Sequence, residues 1–243
     1  MCTASWLRRD GALHLFFNRD EQLGREPATP PAASEAGDVR YLAPRDGRAG
    51  GTWIAASASG LALALLNRSE GPRPERPGSR GRLIPRLIAA PGPDELATAL
   101  AREGLADLPP FRLAALWLAA DRSAAATWDG ERLSWERLPD DAGLLCSSGL
   151  GDERATLERG AVWRRLRAER APWGAEGHRE FHRSHRPSVS AWSPCMHRRD
   201  AATVSYAEVE LDGAGARMRY LDRPPCHGGT PVGLDLPRRA PRR

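Results

Sequence analysis

The sequence predicts an α+β domain: a four-layer α-β-β-α sandwich of two antiparallel sheets. Three observations carry this expectation. The elements run in the order strands, helices, strands, a long helix, strands. The runs 61–66 and 111–119 are apolar without alternation, as in strands covered on both faces. Tight turn dipeptides join neighbouring runs, as in hairpins.

Taken in order, residues 2–9 and 12–18 form two strands around the Asp10-Gly11 turn. The stretch 22–38, rich in Pro, Ala and Glu, reads as a surface loop, and 39–43 as a third strand. Gly50-Gly51-Thr52-Trp53 opens another hairpin, which turns at Ser59-Gly60 and returns through 61–66 to Asn67. A Pro-, Gly- and Arg-rich loop covers 68–81. Helices follow over 80–89 and 94–103, the second with Pro93 and Asp94 suited to its start. After the buried strand 111–119 come a hairpin around Asp129-Gly130, a short strand over 143–147 and a long helix over 152–170. Residues 174–194 fit no pattern. From 204 onward the alternation changes phase near Tyr206, which predicts a β-bulge there, and a turn at 213–215 leads to a last strand through Tyr220. No internal repeat or linker divides the chain, so residues 1–236 are expected to form one domain, with 237–243 a disordered basic tail.

The net charge of +5 raises the possibility of nucleic-acid binding, but the composition argues against it. The chain has no Lys, two Asn and three Ile, the pattern of a GC-rich genome choosing Arg, and its basic residues are interspersed with 31 acids. No apolar run is long enough to span a membrane. No basic segment followed by an apolar one opens the chain, and four cysteines suit free thiols in a reducing compartment, so a cytoplasmic location is expected.

The chemistry concentrates at Cys2. Once Met1 is removed, Cys2 carries its own general base, the α-amine, in a nucleophile–base pair. A thiol titrates near ~8.5 and an α-amine near ~8, close enough to exchange a proton. The first hairpin sets Asn18-Arg19-Asp20 beside the nucleophile strand. Arg19 supplies a guanidinium that favours the thiolate, and Asp20 a carboxylate to fix the ammonium. Asn67 is a candidate oxyanion donor, and Trp53 reads as core or pocket wall. The competing readings are plain: Cys2 as a small buried hydrophobe, Arg19 and Asp20 as a structural ion pair, Asn18 and Asn67 as caps or turn residues. The survival of only two Asn in the chain favours function for both.

Five blocks, Met1-Cys2-Thr3, Asn18-Arg19-Asp20-Glu21, Gly50-Gly51-Thr52-Trp53, Leu65-Leu66-Asn67 and Ser79-Arg80-Gly81, together resemble the NRDE family, which includes the eukaryotic transport and Golgi organisation proteins. A later block, Cys195-Met196-His197 through Thr203-Val204-Ser205, is similar to bacterial members. The resemblance implies an N-terminal nucleophile hydrolase fold and a likeness to penicillin V acylases and bile salt hydrolases. It implies Cys2 as nucleophile, Arg19 and Asp20 in support, and Asn67 at the oxyanion hole. Asn18 and Arg19 could exchange roles, because those enzymes carry the order Arg-Asn-x-Asp. Where relatives often have Gly-Leu-Ser-Asn, this chain has Cys146-Ser147-Ser148, so Ser148 would replace a second donor only in part.

The implied function is hydrolysis of a non-peptide carbon–nitrogen amide through an acyl-thioester, with no cofactor. The alternative is a haem or acyl-lipid carrier that uses the same pocket without turnover, in keeping with the family's association with haem trafficking. His178 and His182 lie four apart, with His185, Cys195, His197, Cys226 and His227 downstream. The order is not that of a zinc protease helix and no Cys-x-x-Cys pair exists, so no metal ligand is expected. The region reads as a solvated Arg-rich segment, although its histidines could ligate haem.

Overall fold

The Asp10-Gly11 turn sets the first register: Arg9 pairs with Ala12 and, at the far end, Cys2 pairs with Arg19. The computed structural model describes residues 2–119 and 122–238. In chain order the elements are β1 (Cys2–Arg9), β2 (Ala12–Gln22), β3 (Thr29–Ala36), β4 (Val39–Arg45), β5 (Ile54–Ser57), β6 (Leu61–Asn67), α1 (Leu83–Leu87), α2 (Pro93–Ala101), β7 (Phe111–Trp117), β8 (Ala124–Trp128), β9 (Leu133–Arg137), β10 (Ala142–Ser147), α3 (Asp152–Glu169), α4 (Ala175–Arg183), β11 (Ala201–Asp212), β12 (Gly215–Leu221) and β13 (Val232–Pro237).

The strands form two antiparallel sheets, one ordered β10-β1-β2-β11-β12-β13 and the other β3-β4-β5-β6-β7-β8-β9. Period-2 alternation builds the layers. Trp6, Leu15 and Phe17 of the first sheet meet Leu42, Ile54 and Ala64 of the second to form the central core. The opposite face of the second sheet, through Leu63, Leu65 and Phe111, is covered by Ile84, Leu87, Leu96 and Leu100 of α1 and α2. The remaining face of the first sheet is covered by α3 and α4, through Val162, Leu166 and Phe181. The expected α-β-β-α sandwich is therefore present. No helix among the described residues is long and apolar enough to cross a membrane.

Several local expectations need correction. The loop over 22–38 contains β3, whose polar, Pro30-Pro31-bearing sequence hides it; as the edge strand of its sheet it tolerates proline. The bulge expected near Tyr206 is present, between Thr203 and Ser205. The first predicted helix is a 3₁₀ turn over Arg80–Arg82 continued by the short α1. The last strand runs to Pro237, and the Arg238 N–H donates to the Ala214 carbonyl, so order extends into the expected tail; 239–243 lie outside the described residues.

The unassigned, His-rich segment is solvated only in part. It contains α4, whose His178 and His182 are fully buried on β1. The Trp173 Nε1–H donates to His178 Nε2 at 2.7 Å, so His178 carries its proton on Nδ1 and donates it to Ser5 Oγ, 2.8 Å away. The Ser5 hydroxyl then donates to His182 Nε2 at 2.8 Å. Both rings are neutral. Burial, aided by His14 and Arg167, pushes the His178 pKa down to about 3, and burial holds His182 well below the ordinary histidine range.

One close approach shapes the central core. Trp6 pairs with Gly143 across β1 and β10, and a Cβ on Gly143 would lie 2.0 Å from the indole. Gly143→Ala should therefore destabilise the fold by about 1–3 kcal/mol through overpacking, measurable by urea unfolding. Acid sensitivity is also expected. In the unfolded chain both α4 histidines titrate near ~6.5, while the folded state keeps them neutral far lower. Their contribution is complete above that pH and is lost as pH falls below it, by up to about 1.4 kcal/mol per pH unit for each ring. Thermal melts from about pH 8 down to about pH 4.5 should show this steepening, and a flat profile would contradict it.

Candidate active site

Strand pairing aligns side chains on one face of a sheet. Cys2 pairs with Arg19 on one side and Ser147 on the other, so all three point toward the second sheet. Cys2 and Arg19 there line a cavity of about 590 Å³, together with Trp53, Asn67, Arg73 and Arg80 among others. Cys2 is 6% exposed. Burial raises its thiol pKa above the ordinary value and the Asp20 carboxylate adds to this, while the Asp20 N–H and the Arg19 guanidinium act in the opposite direction. Cys146, the other thiol of this sheet, lies in a separate groove and is pushed up to about 12 by burial.

Arg19 is fixed from two directions. Its guanidinium lies 4.4 Å from the centre of the Trp53 ring, and its Nη2 donates to Asp46 Oδ2 at 2.5 Å. Asp46 follows directly after β4 and also accepts from Arg25, at 3.0 and 2.8 Å, and from the Ala49 N–H at 2.7 Å. Burial opposes its charge, but Arg25 and the Ala49 N–H outweigh burial and hold the carboxyl below its usual range.

The opposite wall depends on two glycines. Gly51 and Gly81 pass backbone to backbone: a Cβ on Gly51 would sit 2.6 Å from the Gly81 carbonyl carbon, and the Thr52 N–H donates to the Gly81 carbonyl. This contact explains both glycine-bearing motifs and carries Arg80 into the cavity, where its Nη1 donates to the Pro110 carbonyl at 2.9 Å. Burial first, then Arg73, lowers the Arg80 pKa to about 10, so it stays charged at neutral pH.

Alternation sends the neighbours of Arg19 to the far face. Asp20 reaches the cavity through its backbone, but its carboxylate lies beneath β1, accepting from Arg159 Nη2 at 3.0 Å and Thr203 Oγ1 at 2.7 Å. Arg159 also donates to the Cys2 carbonyl at 3.4 Å and to Thr3 Oγ1. The competing reading of a structural Arg19–Asp20 ion pair gives way to separate pairs, Arg19 with Asp46 and Glu21, and Arg159 with Asp20.

Asn18 is not a pocket residue. Its Nδ2 donates to the His182 and Pro194 carbonyls at 2.9 and 2.8 Å, tying α4 and the following loop to β2. Ser148 is also displaced from its expected role. Its N–H donates to Asp152 Oδ1 and its hydroxyl accepts from the Leu150 N–H, capping the approach to α3. Ser147 takes the place on the Cys2 face, with a buried hydroxyl that has no hydrogen-bond partner among the described residues. Asn67 lies where expected, at the end of β6, and its side-chain amide makes no hydrogen bond among the described residues.

Sequence reasoning missed Asp46, Arg25, Arg80 and Arg159. Arg80 lay inside a quoted motif, and the others carry no local signal.

This geometry can be set beside known proteins. No curated protein matches the sequence. Solved structures do match in fold. A conjugated bile acid hydrolase from Clostridium perfringens aligns with TM-score 0.57 at 12% identity, over 97% of this chain and 92% of that one. A Caenorhabditis elegans orthologue of N-acylethanolamine-hydrolysing acid amidase gives 0.54 at 12%, over 85% and 92%. Penicillin V acylase from Agrobacterium tumefaciens gives 0.53 at 12%, over 98% and 86%. The sandwich is that of the N-terminal nucleophile hydrolases. The family model described as Transport and Golgi organisation 2 matches residues 1–156, most of the chain and all of the cavity-lining segments, and the protein belongs to that family.

Proposed function

We propose that the protein is an N-terminal-cysteine hydrolase of small, non-peptide carbon–nitrogen amides. The observation that carries this reading is Cys2 on the wall of a cavity between two immobilised guanidiniums, Arg19 and Arg80. With Met1 removed, the Cys2 α-amine takes the thiol proton and the sulfur attacks the substrate carbonyl. The oxyanion forms near Arg19 and the free Asn67 amide. The amine leaves with the proton from the ammonium, which leaves an acyl-thioester. Water then gives a proton to the Cys2 α-amine and attacks the thioester, the acid leaves, and the ammonium returns the proton to the Cys2 thiolate.

Asp20, Arg159 and Thr203 act as positioning residues: they hold the β1 backbone from beneath and do not meet the substrate. The lining carries five arginines (19, 25, 48, 73 and 80) against the carboxylates of Glu21 and Asp46, with that of Asp20 turned away beneath β1, which favours a substrate with an anionic group. The same excess supports the second reading, an acyl lipid or haem held by its carboxylates without turnover.

Alkylation with iodoacetamide followed by peptide mass spectrometry should modify Cys2 ahead of Cys146 and Cys195, in protein whose intact mass lacks Met1. Cys2→Ala should abolish turnover across an amide panel. Active protein that retains Met1 would rule out the amine as base, and saturable haemin or acyl-CoA binding with no turnover would favour the carrier. Asp46→Asn removes the carboxylate that hydrogen-bonds Arg19, leaving only the more distant Glu21. Loss of a charge-assisted hydrogen bond of about 1.5–3 kcal/mol predicts a fall of roughly 10- to 100-fold in the Cys2 alkylation rate. An unchanged rate would remove Arg19 from the mechanism.

A further inference from the structure

Away from the cavity, two segments fold against each other at the end of the outer layer. The first is the loop after α4, held by the Cys195 N–H donating to the Ser184 carbonyl and by a bridge between His197 and Ala202. The second is the 3₁₀ turn Pro225–His227 between β12 and β13. They bring together His185, Cys195, His197 and Cys226, whose donor atoms all lie within 4.8 Å of one another. His197 Nε2 is 3.6 Å from Cys195 Sγ and 3.3 Å from Cys226 Sγ. A tetrahedral zinc ion with ordinary Zn–S and Zn–N bonds spaces such atoms about 3.3–3.8 Å apart.

An independent observation points the same way. His185 Nε2 is buried and has no hydrogen-bond partner among the described residues. Both cysteines are free thiols. A ring nitrogen left unsatisfied beside two thiols and a second imidazole is costly in an empty site and suited to a shared cation.

We propose that His185, Cys195, His197 and Cys226 form a four-ligand site for Zn²⁺. Two sulfur and two nitrogen donors select a borderline-soft ion over Mg²⁺ or Ca²⁺. Four protein ligands close the coordination shell, so the ion is structural. Binding releases the thiol protons to solvent. The expectation of no metal ligands rested on spacing, and the spacing here, nine residues, one residue and then 28 between successive ligands, matches no zinc motif. The ion would clamp the loop that serves the nucleophile strand from below: the Met196 N–H donates to Thr203 Oγ1, which donates to Asp20, and the Pro194 carbonyl accepts from Asn18.

The test uses the full chain, reduced, stripped with a chelator and titrated with Zn²⁺ and Co²⁺. Expected are about one metal per chain, protection of two of the four thiols from Ellman's reagent, and a Co²⁺ spectrum with thiolate charge-transfer and intense tetrahedral bands. Cys195→Ser or Cys226→Ser should weaken binding at least tenfold, and Cys146→Ser should not. Weak octahedral Co²⁺ bands, four thiols equally reactive with Zn²⁺ present, or sub-stoichiometric uptake by the folded wild-type chain would overturn the site. The wild-type readouts decide the matter even where a variant fails to fold.

Discussion

The buried ion pair between Arg159 and Asp20 is the interaction on which the rest depends. Both side chains are fully excluded from solvent. Removing two charges from water costs several kcal/mol per ion, and mutual attraction recovers this only where the remaining donors and acceptors are satisfied. Here most of them are: Asp20 also accepts from Thr203, and Arg159 also donates to Thr3 and to the Cys2 carbonyl. The pair therefore joins α3, β1, β2 and β11 at one point beneath Cys2. Removing either partner would strand a buried charge at a cost of about 3–5 kcal/mol. What the pair supplies is position, since the β1 backbone cannot slide while its first carbonyl and its second side chain are both held.

Much of this was legible in the sequence, and the reason is periodicity. Alternation and tight turns located the hairpin that pairs Cys2 with Arg19, and unbroken apolar runs marked β6 and β7 as covered on both sides. The same alternation, carried one step further, separates Arg19 from Asn18 and Asp20, because adjacent residues of a strand face opposite ways. The motif reads as a unit in the sequence and divides in the fold. Arg19 and Glu21 face the cavity, and Asn18 and Asp20 hold the layer behind it.

The partners of those residues were not legible, for a physical reason. Asp46 and Arg159 act on Arg19 and Asp20 across 27 and 139 positions, through contacts that only tertiary packing creates. In a chain with 36 arginines, no single arginine stands out by composition. The α4 histidines misled for a related reason: a polar helix sequence reads as solvated, while the Trp173–His178–Ser5–His182 chain of hydrogen bonds lets it be buried neutral.

The contact between Gly51 and Gly81 has a consequence for how the protein can diversify. It joins two backbones without side chains, so the position of Arg80 is set at the base of the 68–81 segment and not along its length. Loop-closure entropy grows slowly with length, so residues inserted ahead of Ser79 would cost little and leave the anchored arginine in place. The rim of the cavity is thus free to change its size and lining over evolutionary time while Cys2 and the two guanidiniums keep their geometry: a fixed floor beneath an exchangeable mouth.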